Sequence, residues 1–312
     1  MKRGLVSWDK VNELPPEEFE ARLARVHAIA RERHVDAIVV YSDVWRSNDA
    51  RYLSNYMPYW NRAFIVVSPK EPPILLCALS PRVYPWIKTV TMHETIIPSP
   101  SPPAKLFKLC EERGWKRVGV CDVDGLPADL HAELMAGMIE IVDIPRCEMR
   151  AVPAASEVRM HARAAQMARE VLEAALATGG ARTDHELTGQ LERVLRRAGA
   201  EDVVVLVSDG EGPPIPAEGR PIGPHTSVVV ANEYNGHWAK VTRNFAGMTS
   251  NLTSLDGATP HREILSGPYS WETLDDTASD AVVSLQLQIS ANDRHYYFGD
   301  TCLQSKEGLR VL

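Results

Sequence analysis

Long apolar runs are missing from this sequence. Stretches such as Ala37 to Tyr41 are short, far below the ~20 residues of a bilayer-spanning helix. There is no CxxC pair. The five cysteines, Cys77, Cys110, Cys121, Cys147 and Cys302, are odd in number and far apart. That excludes a disulfide scaffold or zinc knuckle and fits a reduced, cytoplasmic chain. No basic block exists: Lys plus Arg is 34 against 41 for Asp plus Glu, a net charge of −7. Nucleic acid and anionic membranes are therefore excluded as expected partners. Met1-Lys2-Arg3-Gly4 gives way to Ser7 and Asp9, which does not read as a signal peptide. Gly210, Gly212 and Gly219 are spaced by prolines and no Lys-Ser/Thr follows, so no phosphate loop is expected. Neither an internal repeat nor a Ser/His/Asp or Cys/His order is visible. What remains is 312 residues, 45% hydrophobic and 24% charged, the balance of a globular chain slightly short for two domains.

The first half alternates helix and strand patterns. Pro15-Pro16 precede Phe19, Leu23, Val26, Ile29 and Ala30 at helical spacing. Asp36 to Tyr41 is almost wholly apolar, the pattern of a strand covered on both faces. Strands are expected at 63–67, 73–77, 117–121 and 139–142, with helices at 103–112 and 127–136, a mixed α/β arrangement. A domain boundary is expected near Ala151-Val152-Pro153-Ala154-Ala155, giving domains 1–150 and 151–312. Beyond it one amphipathic helix carries Val158, Met167, Val171 and Leu176 and ends at Gly179-Gly180. Another starts at Thr183 with Glu186 three residues on, a capping box, and ends at Gly199. Strand patterns follow at 203–207, 227–231, 237–243, 282–289 and 295–303.

Asn235-Gly236 between two strand runs is a strong hairpin signal, because a type I′ turn needs positive φ at both positions. A two-residue turn pairs Tyr234 with His237, Glu233 with Trp238, Asn232 with Ala239 and Ala231 with Lys240. Val229, Ala231, Glu233, Trp238, Lys240 and Thr242 then share one face, and His237 points to the other. Later, Ser284, Gln286, Gln288 and Ser290 alternate with Val283, Leu285, Leu287 and Ile289.

These segments resemble the creatinase/aminopeptidase P/prolidase family, the pita-bread fold. Its metal-binding members carry D-x-G, four residues, then G-Y-x-x-D-x-T-R-T-F. This chain reads Gly236-His237-Trp238-Ala239-Lys240-Val241-Thr242-Arg243-Asn244-Phe245, matching at Gly, Thr, Arg and Phe. Ser284-Leu285-Gln286-Leu287 and Tyr297-Phe298-Gly299-Asp300-Thr301 resemble the late S-L-E-P and R-I-E-D-T blocks. Met149 to Val158 looks like the family's interdomain segment, and Asn48 to Tyr56 like part of its N-terminal domain. The resemblance implies an α/β (α+β) chain: a creatinase-like mixed α/β domain, then a truncated pita-bread domain with a curved antiparallel sheet.

The departures carry as much as the matches. The family's metalloenzymes hold two divalent ions with two Asp, one His and two Glu. Here the Asp positions fall on Val229 and Lys240, and the Glu positions on Gln286 and Gly299. No H-G-x-G segment supplies the His, and only 38 residues separate Phe245 from Ser284. Gly267-Pro268-Tyr269-Ser270-Trp271 is a candidate remnant of that segment. Hard or borderline divalent ions need several oxygen or nitrogen donors, so no metal and no other cofactor is expected.

Creatinase, the metal-free branch, cleaves a C–N bond with His and Glu in a dimer whose N-terminal domain reaches the partner's site. The resemblance therefore implies a metal-independent hydrolase or lyase, acting on a small amidine-, amide- or amino-acid-like molecule in a pocket shared by a homodimer. Lys240 would supply positive charge or, desolvated, a base; as a bland alternative it is a solvated strand lysine. Glu233 or His237 would move protons; the bland alternatives are a rim salt bridge and a structural histidine. Gln286, Trp238, Arg243 and, from the N-terminal domain, Arg62 and Trp60 would bind substrate. The loop around Asp209 and Glu211 reads as a lid. A non-catalytic homologue binding a small molecule or partner protein is the alternative. A metal-dependent aminopeptidase or prolidase ranks last.

Overall fold

Helix α1 (Pro16–Glu32) places Pro16 in its first turn, where a missing N–H costs nothing, and buries Phe19, Leu23, Val26 and Ile29. Strand β1 (Ala37–Ser42) is buried along its whole length. The chain continues through α2 (Asn48–Ser54), β2 (Ala63–Ser68), β3 (Glu71–Cys77), α3 (Tyr84–Val90), β4 (Thr95–Pro98), α4 (Pro102–Arg113), β5 (Arg117–Cys121), α5 (Ala128–Met135), β6 (Glu140–Ile144) and α6 (Arg146–Met149). The computed structural model describes residues 8–58, 61–150, 153–249, 259–264 and 280–312. Contacts divide the chain into two units, Lys2–Ala151 and Val152–Leu312.

In the first unit the strands form one mixed sheet, ordered β4-β3-β2-β1-β5-β6. Ile38 and Val40 join the core under α1, while Val39 and Tyr41 join the core under α4 and α5. Both faces are covered, which is why β1 reads as an unbroken apolar run. Cys77, Cys110, Cys121 and Cys302 are buried free thiols. The short edge strand β4, ending in Pro98, carries too few residues for a legible period, and α2 and α3 were likewise not expected as helices.

The second unit opens with α7 (Ala155–Thr178) and α8 (Asp184–Ala198). Thr183 Oγ1 caps α8 by accepting the Glu186 N–H at 3.3 Å. Glu186 accepts instead from the Arg182 N–H, at 2.8 Å, one residue before the expected partner. Strands β7 (Asp202–Ser208), β8 (Ser227–Tyr234), β9 (His237–Asn244), β10 (Thr259–Ile264), β11 (Ala281–Ala291), β12 (Arg294–Ser305) and β13 (Gly308–Val311) follow. They form an antiparallel sheet ordered β10-β11-β12-β9-β8-β7, with β13 on β12. The β8–β9 and β11–β12 turns use positive φ: Asn235 and Gly236 at 48° and 76°, Asn292 and Asp293 at 52° and 59°. The β8–β9 register has Tyr234 opposite His237 and Ala231 opposite Lys240, as the turn predicts. Leu187, Leu191 and Leu195 of α8 and Met167 and Leu172 of α7 pack on Val203, Val205, Val207, Val228, Val230 and Val241. The helices thus cover one face of β7–β9 and leave the residues between those valines for the other. The stretch after Phe245, which reads as shortened, contains β10 paired along β11. Gly267 to Trp271 lie outside the described residues.

An ion cluster closes the first unit. Buried Asp49 accepts from Arg146 Nε at 2.9 Å and Arg150 Nε at 3.2 Å. Burial pushes its carboxyl pKa up, but the two guanidinium groups outweigh this and hold it below the usual value. Asp49→Ala strands two cations and is expected to cost about 3–5 kcal/mol in urea unfolding. The pair stabilises above the unfolded carboxyl pKa of about 4, and its contribution fades as pH falls through the lower folded value. A loss below about 1 kcal/mol would mean that the pair is solvated like a surface bridge.

Candidate active site

One row of residues crosses the second sheet. Leu206 on β7 is opposite Val229 on β8, and Val229 is opposite Thr242 on β9. Thr242 is opposite Gly299 on β12, Gly299 is opposite Gln286 on β11, and Gln286 is in register with His261 on β10. Directly opposed residues share a face. Lys240 lies two residues from Thr242 on β9 and so shares that face too. Its backbone is tied to β12: Lys240 N–H donates to Thr301 Oγ1 at 2.9 Å, and that hydroxyl donates to the Lys240 carbonyl at 3.1 Å.

A cavity of about 300 Å³ opens on this face, lined by Leu206, Pro214, Val229, Lys240, Gln286, Leu287, Gln288 and Tyr297. This is the small end of the range for ligand pockets. Burial lowers the Lys240 ammonium pKa to about 8, because a cation loses hydration in a mainly apolar wall. Gln286 is held from both sides: Thr242 Oγ1 donates to its Oε1, and its Nε2 donates to Ser284 Oγ at 2.8 Å. Gln288 Nε2 contacts His295 Nδ1 at 3.0 Å. Burial raises the Tyr297 phenol pKa, so it stays protonated at neutral pH.

The cavity brings together Lys240 and Gln286 of the residues expected from sequence. Glu233 is fully buried and opposite Trp238, away from the lining. His237 donates from Nδ1 to the Asn235 carbonyl at 2.7 Å, and its ring meets His161 of α7 edge-on at 5.1 Å. Trp238 is 1% exposed, its carbonyl taken by His161 Nδ1 at 2.6 Å. Arg243 also stays out of the lining. Its Nη2 holds Asp300 Oδ2 at 2.9 Å, its Nη1 donates to the Gly299 carbonyl at 2.8 Å, and the guanidinium lies over Phe298. Arg169 of α7 takes the other Asp300 oxygen, so Arg243 belongs to a helix–sheet clamp. In the first unit Arg62 pairs with Asp129 in an exposed bridge. Trp60 lies outside the described residues.

Sequence reasoning missed Leu206, Pro214 and Tyr297. The alternation of β12 could have found Tyr297, which shares a face with Gly299 and sits opposite Gln288. Pro214 comes from the expected lid loop. That loop is pinned to the β11–β12 hairpin: Arg294 pairs with Glu211 at 2.6 Å, and His295 N–H donates to the Gly210 carbonyl at 2.9 Å.

The donor set does not fit the two-metal centre that the family resemblance implies. Val229 and Gly299 bring no side-chain donor, and a protonated Lys240 repels a cation. A Cβ on Gly299 would run into the Gln286 amide and sit 2.6 Å from the Leu285 carbonyl, so the Gln286 side chain already takes the space a residue there would need. Among the described residues, no group of three or more His, Cys, Asp or Glu converges.

Residues 22–154 match the family model of the Creatinase/Prolidase N-terminal domain. No curated protein matches the chain by sequence. Among solved structures, the Xaa-Pro dipeptidase from Bacillus anthracis is similar at TM-score 0.73 and 16% identity, over 94% of this chain and 97% of that one. The prolidase from Pyrococcus furiosus aligns at 0.71 and 15%, over 93% and 98%. The X-Pro aminopeptidase from Thermotoga maritima MSB8 aligns at 0.70 and 14%, over 93% and 96%. At such identities the likeness is one of fold: a creatinase-like mixed α/β domain followed by an antiparallel-sheet domain. The matches run nearly end to end in both partners. No helix among the described residues is long and apolar enough to cross a membrane.

The crowding at Gly299 is directly testable. Gly299→Ala is expected to cost about 1–3 kcal/mol in urea unfolding, the usual range for overpacking a filled site. Gly189→Ala, in α8 with open space around it, is expected to gain up to about 1 kcal/mol. Equal effects at the two positions would contradict the packing described here.

Proposed function

We propose, from the match of residues 22–154 to the Creatinase/Prolidase N-terminal domain and the pita-bread fold of the chain, a metal-independent hydrolase or lyase acting on a small amide-, amidine- or amino-acid-like molecule. One observation carries the reading. The cross-strand row and Lys240 bring the family's metal-ligand positions to one cavity, where they are Val229, Lys240, Gln286 and, opposite Gln286, Gly299. The cavity keeps the place of the chemistry and changes its means. An ammonium stands where a cation's ligand would, and can fix a carbonyl oxygen or carboxylate of the substrate.

Lys240 is also a titratable group on the cavity wall. With a pKa of about 8, a useful share of the amine is neutral near physiological pH. Gln286, braced by Thr242 and Ser284, offers a fixed amide for orientation. Glu233 and His237 would need another path to substrate, so proton transfer falls first to Lys240. The Xaa-Pro peptidase activity for which those neighbours are named rests on chemistry for which this donor set is unsuited. The net charge of −7 supports a small-molecule partner rather than nucleic acid. A cytoplasmic homodimer with Arg62 and Trp60 reaching a partner's cavity belongs to the same proposal.

A second reading is a non-catalytic homologue that binds a small molecule. The absence of Glu233 and His237 from the cavity lining favours it. Assays of the full chain separate these readings. We expect no Mn²⁺-dependent cleavage of Ala-Pro, and turnover or binding of a small amide or amidine that survives EDTA and is lost in Lys240→Met. Dipeptide cleavage that needs Mn²⁺ and stops in EDTA would overturn the proposal. Binding without turnover would select the second reading.

A further inference from the structure

The β7–β8 connection, residues 209–226, supplies Pro214 to the cavity wall. Its near end is tied down on both sides of that proline. Ser208 Oγ donates to the Gly212 carbonyl at 2.6 Å. Val207 and Ile215 exchange both backbone hydrogen bonds, at 2.8 and 3.1 Å. The far end is held by Asp184, the first residue of α8 and fully buried. Its Oδ1 accepts the Gly219 N–H at 2.7 Å. Its Oδ2 accepts the Glu218 N–H at 3.2 Å and Arg220 Nε at 3.0 Å. Gly219 has φ at 89°, a conformation that favours glycine. Arg220 links the two ends: Nη2 donates to the Val207 carbonyl at 2.9 Å, and Nη1 stands 3.9 Å from Asp209.

We propose that Asp184 is a positioning residue for the cavity: it latches the 209–226 loop as a fixed wall, and that wall sets an upper size limit on the small molecules the cavity takes. The inference rests on the reading of the cavity as a small-molecule site. Asp184 lies outside the lining and acts through Pro214. A lid opens by giving up a few weak contacts. Here Pro214 withdraws only if the Val207–Ile215 pair, the Asp184 hydrogen bonds and the Glu211–Arg294 bridge part together. Pro213, Pro214, Pro216, Pro221 and Pro224 restrict φ along the same stretch. The loop expected to be a lid is therefore a wall, and about 300 Å³ is the volume measured with Pro214 in place.

The latch is electrostatically settled. Burial pushes the Asp184 carboxyl pKa up, but the two backbone N–H groups and Arg220 outweigh this and hold it below the usual value. The carboxylate thus stays charged through the neutral range, with hydrogen bonds on both oxygens to compensate its burial.

The test is thiol reactivity inside the cavity. Val229→Cys, close to isosteric, puts a thiol at a lining position of the full chain. Its modification by methyl and by benzyl methanethiosulfonate, both neutral, is mapped at that residue by mass spectrometry. With the latch intact, the methyl reagent is expected to react at least about tenfold faster, after correction for the rates with free cysteine. Adding Asp184→Asn, or separately Pro214→Ala, is expected to bring the ratio towards one, with the methyl rate within about twofold of its starting value. Equal rates with the latch intact would overturn the proposal, as would a ratio that neither variant moves. So would a parallel rise of both rates in Asp184→Asn, the mark of general loosening. Hydrogen exchange on the unaltered chain tests the latch without any variant. The Gly219 and Ile215 amides are expected to exchange at least about a hundredfold more slowly than unstructured chain, and unprotected amides would overturn it. These readouts need neither substrate nor metal. They can fail while the EDTA assay upholds the functional reading, and Mn²⁺-dependent cleavage would overturn that reading with the size ratio intact.

Discussion

The register of the β8–β9 hairpin is the constraint on which the rest of the second unit depends. Side chains on a strand alternate with period two, so a slip of one residue exchanges its faces. With Asn235-Gly236 in the turn, Val228, Val230 and Val241 face the helices, while Val229, Lys240 and Thr242 face the cavity. A slip would drive Lys240 into the packing of α7 and α8 and bring Val241 to the cavity. The positive φ at both turn residues fixes that choice locally. The clamp of Arg169 and Arg243 on Asp300 fixes β9 against β12 and α7. Once this register is set, the row from Leu206 to Gln286 assembles from strands far apart in sequence.

On the proposed reading, the same row keeps a site while its chemistry changes. Where the resembled motif has carboxylates this chain has Val229 and Lys240, and the amide of Gln286 spreads into the space before Gly299. Each change supports the others. An ammonium tolerates neighbouring amides and a phenol, and a glycine makes room for the amide. On that reading, introducing one carboxylate would leave a buried anion without its cation, or a clash with Gln286, so a metal site would require several concerted changes. Among the described residues, the cavity wall carries no carboxylate.

Much of this was legible in the residues. The hairpin register, the α7 and α8 helices and the doubly buried β1 follow from short-range signals: a turn dipeptide, an apolar period, a C-terminal glycine. The alternation at Gln286 and Gln288 predicted a polar face, and that face lines the cavity. What sequence does not carry is tertiary address. Pro214 arrives from a loop, Tyr297 through cross-strand pairing, and β10 through partnership with β11 rather than through any strong period of its own. Arg243 looked like a binding residue because its motif was recognisable, yet its guanidinium is used up within the sheet. His237 sits in the matching segment, but one position of alternation turns it towards His161. Motif position pointed to the segments that line the cavity, and strand parity decided which of their residues reach it.

The central claim is that these strands bring the family's ligand positions together without the power to bind a dinuclear metal. The most direct measurement is the metal content of the full chain after saturation with Mn²⁺ and desalting. Substantially less than one ion per chain is predicted, unchanged by Gln286→Ala. About two retained ions per chain, lost on that substitution, would contradict the account, because tight dinuclear binding needs several well-placed anionic or neutral donors.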